Sequence, residues 1–155
     1  IRYVNGEQQV ILNGENVNAF LRTEEVGKMA SASSVVPKVR MKLVELQRQL
    51  AQTDNVVMDG RDIGTYVLPD ARVKIYMTAG IRERALRRYE ELLQKGTECN
   101  LEEIEKDIAE RDYRDMNRDF APLRQAEDAV YLDTSKMSID EVAEEVGRIV
   151  ASKTL

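Results

Sequence analysis

The sequence predicts an α/β fold, in which helices flank a parallel β-sheet and a small antiparallel lobe precedes it. Short apolar runs alternate with amphipathic helical patterns over residues 53–155, and polar residues directly follow two of these runs. Two Asn-Gly pairs, which favour tight turns between antiparallel strands, divide residues 1–22. Because strands that alternate with helices form parallel sheets, the larger part of the chain is expected to contain one.

Residues 1–22 are expected to form the antiparallel lobe. Asn5-Gly6 and Asn13-Gly14 flank the apolar run at residues 9–12, and Asn-Gly is typical of type I′ hairpin turns. A polar, serine-rich stretch at residues 31–34 follows. A helix is then predicted from Pro37, because proline fits the first helical turn. Its apolar stripe, expected to face inward, consists of Val39, Leu43, Leu46 and Leu50.

Three apolar runs are predicted to be buried parallel strands, at residues 56–58, 73–77 and 129–132. Three helices are predicted around them, and each has a capping signal at one end. These helices are residues 81–95, closed by Gly96, residues 101 to about 114, opened by Asn100 with Glu103, and a helix from Ser138, where Glu141 completes a capping box.

The composition excludes several classes of function. The chain has no histidine, so it contains no Ser-His-Asp triad, no HExxH zinc site and no histidine general base. Its single cysteine, Cys99, cannot form an internal disulfide. The net charge of -5 argues against a nucleic acid polymer as a partner. No run approaches the roughly 18 apolar residues that a membrane span needs, and a cytoplasmic location is expected.

The first candidate site is the segment Asp59-Gly60-Arg61-Asp62, which directly follows a predicted strand. In open α/β sheets, ligands bind beyond the carboxyl ends of the strands. The glycine permits a tight turn, the guanidinium suits a phosphate, and the carboxylates can orient a metal-bound water or accept from an amino group. The alternative is an ordinary turn between strand and helix with a surface ion pair.

Two further candidate sites are charged faces of predicted helices. Arg111, Asp115 and Arg118 recur at helical spacing and would share one face, where they could hold a sugar hydroxyl and a phosphate together. A second set of arginines lies on the helix after the second predicted strand of the sheet, at Arg82, Arg84, Arg87 and Arg88. For both sets the alternative is a solvated face with surface ion pairs.

Together these segments resemble the bacterial cytidylate kinases, which transfer a phosphoryl group from ATP to CMP or dCMP. The resemblance covers nearly the whole chain, and its most selective part is DGRDIGT followed by the downstream pattern ERDxRDxxR. It implies a P-loop-kinase fold, in which a parallel sheet forms the middle of a three-layer architecture. It also implies that residues 1–52 form the nucleoside-monophosphate-binding lobe and its connecting helix, that residues 53–155 belong to the core, and that about 82–118 form a helical lid.

The resemblance assigns roles on the acceptor side of the reaction. Ser31, Arg40 and Asp62 match the positions that recognise cytosine, where a carboxylate accepts from the exocyclic amino group and opposes the carbonyl of uracil. The positions that hold the CMP phosphate are matched by Arg61 and Arg118, and those that bind the ribose by Arg111 and Asp115.

On the donor side, the resemblance implies that Mg²⁺ accompanies ATP and that Asp59 orients it through water, with no direct protein ligand. Arg84, Arg87 and Arg88 match lid residues that reach the ATP phosphates. CMP or dCMP and ATP are therefore the expected partners.

The sequence contains no P-loop motif GxxxxGK[ST], whose backbone amides would hold the ATP phosphates. The resemblance places that motif after the central strand of the sheet, so this strand is expected to be absent from the 155 residues. The whole enzyme is expected to be a monomer, whereas the 155-residue chain alone is expected to be inactive and to self-associate. One alternative is a noncatalytic nucleotide-binding or protein-interaction domain on the same scaffold. Another is a related kinase, which would lack the set Ser31, Arg40 and Asp62.

Overall fold

The computed structural model describes residues 1–21, 23–34 and 36–154, except for the side chains at positions 24, 28, 31 and 34. The chain divides into two units, Ile1–Asn55 and Val56–Leu155. None of the helices in the described ranges combines the length and apolar character that crossing a bilayer requires. The predicted lobe at residues 1–52 and the predicted lid at about 82–118 stay predictions.

Two hairpins open the first unit, as predicted. In the first, Asn5 and Gly6 have φ angles of 53° and 82°, and in the second Asn13 and Gly14 have 52° and 91°. Positive φ at both central residues defines the type I′ turn and explains why Asn-Gly stands at both places. The antiparallel strands are β1 (Arg2–Val4) with β2 (Glu7–Gln9), and β3 (Ile11–Leu12) with β4 (Glu15–Asn16).

The serine-rich stretch at residues 31–34 is helical, because it belongs to α1 (Glu24–Ser34). The Thr23 hydroxyl accepts from the amide of Val26 at 3.4 Å and caps the start of this helix. Near the end, the Ser33 hydroxyl donates to the Ala30 carbonyl at 3.2 Å. Such a bond satisfies the polar side chain within the helix itself, so serines do not have to interrupt it.

The second helix, α2 (Pro37–Thr53), begins at the predicted proline. The predicted burial of its apolar stripe is wrong, because Val39, Leu43, Leu46 and Leu50 are 39% to 48% exposed. Val44 is the buried residue of this helix instead. The first unit offers α2 mainly α1 and two short polar hairpins, which is too little apolar surface to cover the stripe.

The second unit contains a parallel pair of strands, β5 (Ile75–Thr78) and β6 (Val130–Asp133). This confirms two of the three predicted strands with slightly shifted bounds. The predicted strand at residues 56–58 is wrong: the segment pairs with no strand of the described chain, and Val57 is fully exposed. A strand exists only where a neighbour completes its hydrogen bonds, and sequence pattern does not supply that neighbour. The mixed α/β class is confirmed, and the three-layer arrangement stays a prediction.

Three predicted helices complete the second unit: α3 (Ile81–Gln94), α4 (Leu101–Asn117) and α5 (Ile139–Thr154). Gly96, with a φ of 70°, closes α3 as predicted, and its amide donates to the Leu93 carbonyl at 2.9 Å. The Asn100 side chain caps α4 by accepting from two backbone amides. Ala85 of α3 is completely buried, and α3 and α4 pack against each other.

Ser138 and Glu141 form the predicted capping box at the start of α5. The Ser138 amide donates to Glu141 Oε2 at 2.7 Å, and the Glu141 amide donates to Ser138 Oγ at 3.3 Å. The hydrogen bonds from the Ser138 amide and hydroxyl lower the pKa of Glu141 from its ordinary value of 4.5. The ionised carboxylate is therefore the form that the folded helix stabilises.

Removing either half of this box is expected to destabilise the protein. Ser138→Ala should lower the free energy of unfolding by about 1 kcal/mol. The contribution of Glu141 is present above its ordinary pKa and is lost as the pH falls toward its lowered, folded pKa, so Glu141→Gln should reduce the loss of stability in acid. Thermal unfolding at neutral and acidic pH measures both effects. Glu144→Gln, at an exposed position of α5, is the control, and an acid response of Glu141→Gln equal to wild type would contradict the assignment.

Candidate functional site

The segment after Asp59 forms a turn that the sequence did not predict. A single π-helical turn, Ile63–Val67, follows Asp62, whose carbonyl accepts from the amides of Tyr66 at 2.9 Å and Val67 at 3.2 Å. At Gly60 a side chain would collide, because a Cβ there would lie 2.9 Å from Cγ1 of Ile63. The wide turn and the close approach at Gly60 fix the backbone that carries Arg61 and Asp62.

Ion pairs join this turn to the end of α4. Nε of Arg61 lies 2.9 Å from Oδ2 of Asp115, and Nη2 of Arg118 lies 3.4 Å from Oδ1 of Asp62. Nε of Arg111 lies 3.9 Å from the same Asp115 oxygen. The structure thus brings together five predicted acceptor-site residues that are far apart in sequence. We call Arg61, Asp62, Arg111, Asp115 and Arg118 the charged cluster.

The residues of the charged cluster differ in solvent exposure. Asp62 is buried, at 8% exposure, and the Asp115 side chain is 20% exposed, whereas the Arg111 side chain is 66% exposed. The cluster contains three arginines and two aspartates, so its formal charge is one positive unit. A half-buried cluster with excess positive charge favours an anion, because charges act more strongly where water is partly excluded.

Two atoms of the charged cluster keep hydrogen-bonding capacity. Oδ2 of Asp115 and Nη2 of Arg118 are buried and, among the described residues, form no hydrogen bond of good geometry, although each has an opposite charge nearby. Buried polar atoms are normally satisfied, so unused capacity at both an acceptor and a donor is the property expected of a site that takes a polar ligand. A phosphate could accept from the guanidinium, and a hydroxyl could donate to the carboxylate.

The chain after α4 also holds the charged cluster in place. Nε of Arg118 donates to the Ala121 carbonyl at 2.7 Å, and Ala121 has a left-handed φ of 46°. The rings of Tyr66 and Phe120 pack edge to face with centroids 4.8 Å apart, which links the π-helical turn to this loop. Sequence reasoning missed both contacts, since neither a left-handed alanine nor a distant aromatic pair has a local signal.

The predicted base-reading residues are divided between the two units. Asp62 belongs to the second unit, whereas Ser31 lies in α1 and Arg40 lies in the first turn of α2. The side chain of Ser31 falls outside the described residues, and Arg40 is partly buried. The joint role of these three residues in recognising cytosine therefore stays a prediction.

Asp59 is exposed and directly follows residues 56–58. Within the described ranges, no group of three or more His, Cys, Asp or Glu side chains is close enough to hold a metal ion. A single exposed carboxylate fits a magnesium ion that keeps most of its water and is held mainly by phosphates, because Mg²⁺ dehydrates reluctantly. The magnesium role of Asp59 stays a prediction.

The three predicted lid arginines of α3 have different partners. Arg84 forms a bidentate ion pair with Asp112 of α4. Arg87 donates to the Thr134 carbonyl, and Arg88 forms an ion pair with Glu91 on the same helix. Sequence reasoning did not single out Asp112 or Thr134. Asp112 lies within the ERDxRDxxR pattern, which is the signal that could have identified it.

The chain is similar to known proteins over most of its length. The family model for cytidylate kinase matches residues 1–152. A cytidylate kinase of Ligilactobacillus salivarius (strain UCC118) is 48% identical over 147 residues, which are 95% of this chain and 66% of that protein. A cytidylate kinase of Streptococcus pneumoniae (strain Hungary19A-6) is 50% identical over 141 residues, which are 91% of this chain and 63% of that protein. The chain thus spans just under two thirds of the length of these relatives.

Proposed function

Because the chain belongs to the cytidylate kinase family, we propose that the whole protein of which it is part transfers the γ-phosphoryl group of ATP to CMP or dCMP. The charged cluster is the observation that carries this proposal. Two segments that are distant in sequence supply it, and its excess charge and unused hydrogen-bonding atoms match a ligand with a phosphate and hydroxyl groups.

The acceptor phosphate is held by Arg61 and Arg118. Two guanidinium groups that converge on one phosphate orient its attacking oxygen and offset the negative charge that builds up as two phosphate groups approach each other. Transfer is direct and in line, and the chain contributes position and charge without forming a covalent intermediate. Asp115 would bind Arg61 and a ribose hydroxyl together, so that the phosphate and the sugar are placed by one connected set of residues.

The base is recognised by Asp62 together with Ser31 and Arg40. A carboxylate can only accept hydrogen bonds, which suits the amino group of cytosine and disfavours the carbonyl of uracil at the same place. Magnesium, when bound with ATP, neutralises charge on the phosphates, and Asp59 would contact it through water. The exposed position of Asp59 is compatible with this role.

The test is phosphoryl transfer by the whole protein with ATP and magnesium to CMP, dCMP, UMP and AMP. We expect high turnover with CMP and dCMP and low turnover with the other two. Asp115→Ala should raise KM for CMP by at least tenfold without unfolding the protein, because the carboxylate contacts Arg61 and Arg111 rather than the apolar core. Asp107→Ala, at an exposed position of the same helix, is the matched control.

Preference for UMP or AMP would overturn the acceptor assignment. CMP binding without turnover would favour the alternative of a noncatalytic nucleotide-binding domain. Equal kinetics for Asp115→Ala and Asp107→Ala would mean that the charged face of α4 is an ordinary solvated surface.

A further inference from the structure

Arg84 is engaged through all three nitrogen atoms of its guanidinium group. Nη1 and Nη2 donate to the two carboxylate oxygens of Asp112 at 3.1 and 2.5 Å, and Nε donates to the Ala79 carbonyl at 2.9 Å. The side chains of Arg84 and Asp112 are only 30% and 16% exposed. Arg84 therefore connects the end of β5, its own helix α3 and the facing helix α4.

Withdrawing Arg84 from these partners would be costly. Asp112 would keep a poorly solvated negative charge without its cation, and the Ala79 carbonyl would lose its donor. Removing one member of a partly buried ion pair destabilises a protein more than replacing both members, because the remaining charge is left without compensation. A phosphate that recruited Arg84 would have to overcome this cost.

Arg87 is also committed to the fold. Nη2 donates to the Thr134 carbonyl at 2.5 Å, and Nη1 lies 3.4 Å from the hydroxyl of Thr134, which is itself buried. That hydroxyl donates to the Thr78 carbonyl at 3.0 Å. Arg87 thus holds Thr134, the residue after β6, and the Thr134 hydroxyl connects it to Thr78 at the end of β5.

Arg88 differs from both. Its partner is Glu91, one turn along α3, with Nη1 to Oε2 at 2.8 Å, and both side chains are about half exposed. Lys95 also donates to Glu91, and Lys95 and Arg88 together lower the pKa of that carboxyl to about 2. If Arg88 leaves, Lys95 still neutralises Glu91. An exposed ion pair of this kind contributes little to the stability of the fold. Arg88 can therefore leave Glu91 for another partner at a small cost in free energy.

We propose that Asp112 is a positioning residue that holds Arg84 as a link between α3 and α4, and that Arg88 is the arginine of α3 that reaches the ATP phosphates. The role of Arg88 rests on the proposed kinase function, whereas the Arg84–Asp112 link does not. The resemblance gives the same role to all three arginines, and the contacts separate them.

The link is tested by a double-mutant cycle on thermal unfolding of the whole protein. Arg84→Met and Asp112→Asn should each lower Tm by about 3 to 6 °C, and the double variant should lower it hardly more than either single variant. The control is Arg82→Met, because Arg82 pairs with Glu105 across the same two helices at 2.6 Å with side chains 55% and 35% exposed. Its Tm should equal that of wild type. An unchanged Tm in Arg84→Met, or additive losses, would overturn the link.

Steady-state kinetics with CMP and varied ATP test the division of roles. Asp112→Asn and Arg84→Met should lower kcat/KM for ATP by similar factors with KM for CMP unchanged, and Arg84→Lys should not restore it, because lysine lacks the planar fork. Arg88→Ala should lower kcat/KM for ATP at least tenfold with an unchanged Tm. If Arg84→Met reduces ATP use strongly while Asp112→Asn does not, Arg84 is itself the phosphate ligand and the proposal is wrong. A wild-type protein without kinase activity would overturn the proposed function. The double-mutant cycle on thermal unfolding would still test the Arg84–Asp112 link, because it does not depend on activity.

Discussion

Replacing Arg118 by alanine is expected to lower kcat/KM for CMP on the order of 100-fold or more. The guanidinium lies 3.4 Å from the buried Asp62 carboxylate, and its Nε is fixed by the Ala121 carbonyl. The guanidinium is therefore already oriented, so little entropy would be lost if it bound the phosphate as proposed. The substitution removes both the charge and that orientation. Activity with CMP as the varied substrate, at saturating ATP and magnesium, measures the loss.

Arg114→Ala is the matched control for this experiment. Arg114 lies in the last turn of α4, which Arg118 directly follows, and it is exposed. Its Nε donates to the Glu110 carbonyl one turn earlier. Arg114 shares charge and side-chain length with Arg118, but it contacts the backbone of its own helix, whereas Arg118 contacts Asp62. We expect near wild-type kinetics for this variant. Equal and small effects of the two substitutions would remove Arg118 from the phosphate site.

The elements that sequence predicted correctly are those whose causes lie within a few residues. Asn5-Gly6 is a turn because both residues accept positive φ, α4 begins after Asn100 because its side chain caps backbone amides, and α5 begins after Ser138 for the same reason. These interactions are local, so the same short segment gives the same structure in many surroundings. Their prediction does not require knowledge of the rest of the fold.

The elements that sequence predicted wrongly depend on distant partners. Residues 56–58 have the composition of a buried strand, yet they pair with no strand of the described chain, and Val57 is exposed. The apolar stripe of α2 has the correct helical spacing and is also uncovered. The composition of a segment shows only that the segment can be buried. Burial also requires a second apolar surface that packs against it.

In the candidate site, too, the local contacts were predictable from sequence and the contacts between distant segments were not. Helical spacing correctly predicted that Arg111 and Asp115 lie within reach of each other. Its placement of Arg118 on the same helix face is wrong, because α4 ends at Asn117 and Arg118 has an extended backbone. Helical spacing could not predict that Arg61 pairs with Asp115, or that Arg84 pairs with Asp112, because these pairs join separate segments. The arginines of α3 look equivalent in sequence, and only their contacts in the folded chain distinguish them.

Asp62→Asn is expected to narrow the preference for CMP over UMP by about 100-fold. Asp62 is 8% exposed, so a base that meets it does so largely without water, and an unmatched polar group there is penalised. In the proposed role, the carboxylate would accept from the amino group of cytosine and oppose the carbonyl of uracil. The amide of asparagine can present either a donor or an acceptor, so it accommodates both bases. The ratio of kcat/KM values for CMP and UMP measures the change.

The ratio separates base reading from the other contact of Asp62. Asparagine also removes the negative charge 3.4 Å from Arg118, so activity with CMP should fall in any case. That loss acts on the phosphate, which CMP and UMP share, and it cancels in the ratio. Asp70→Asn, at an exposed position beyond the π-helical turn, should leave both the activity and the ratio unchanged. If Asp62→Asn lowers activity with an unchanged ratio, Asp62 orients Arg118 and does not read the base.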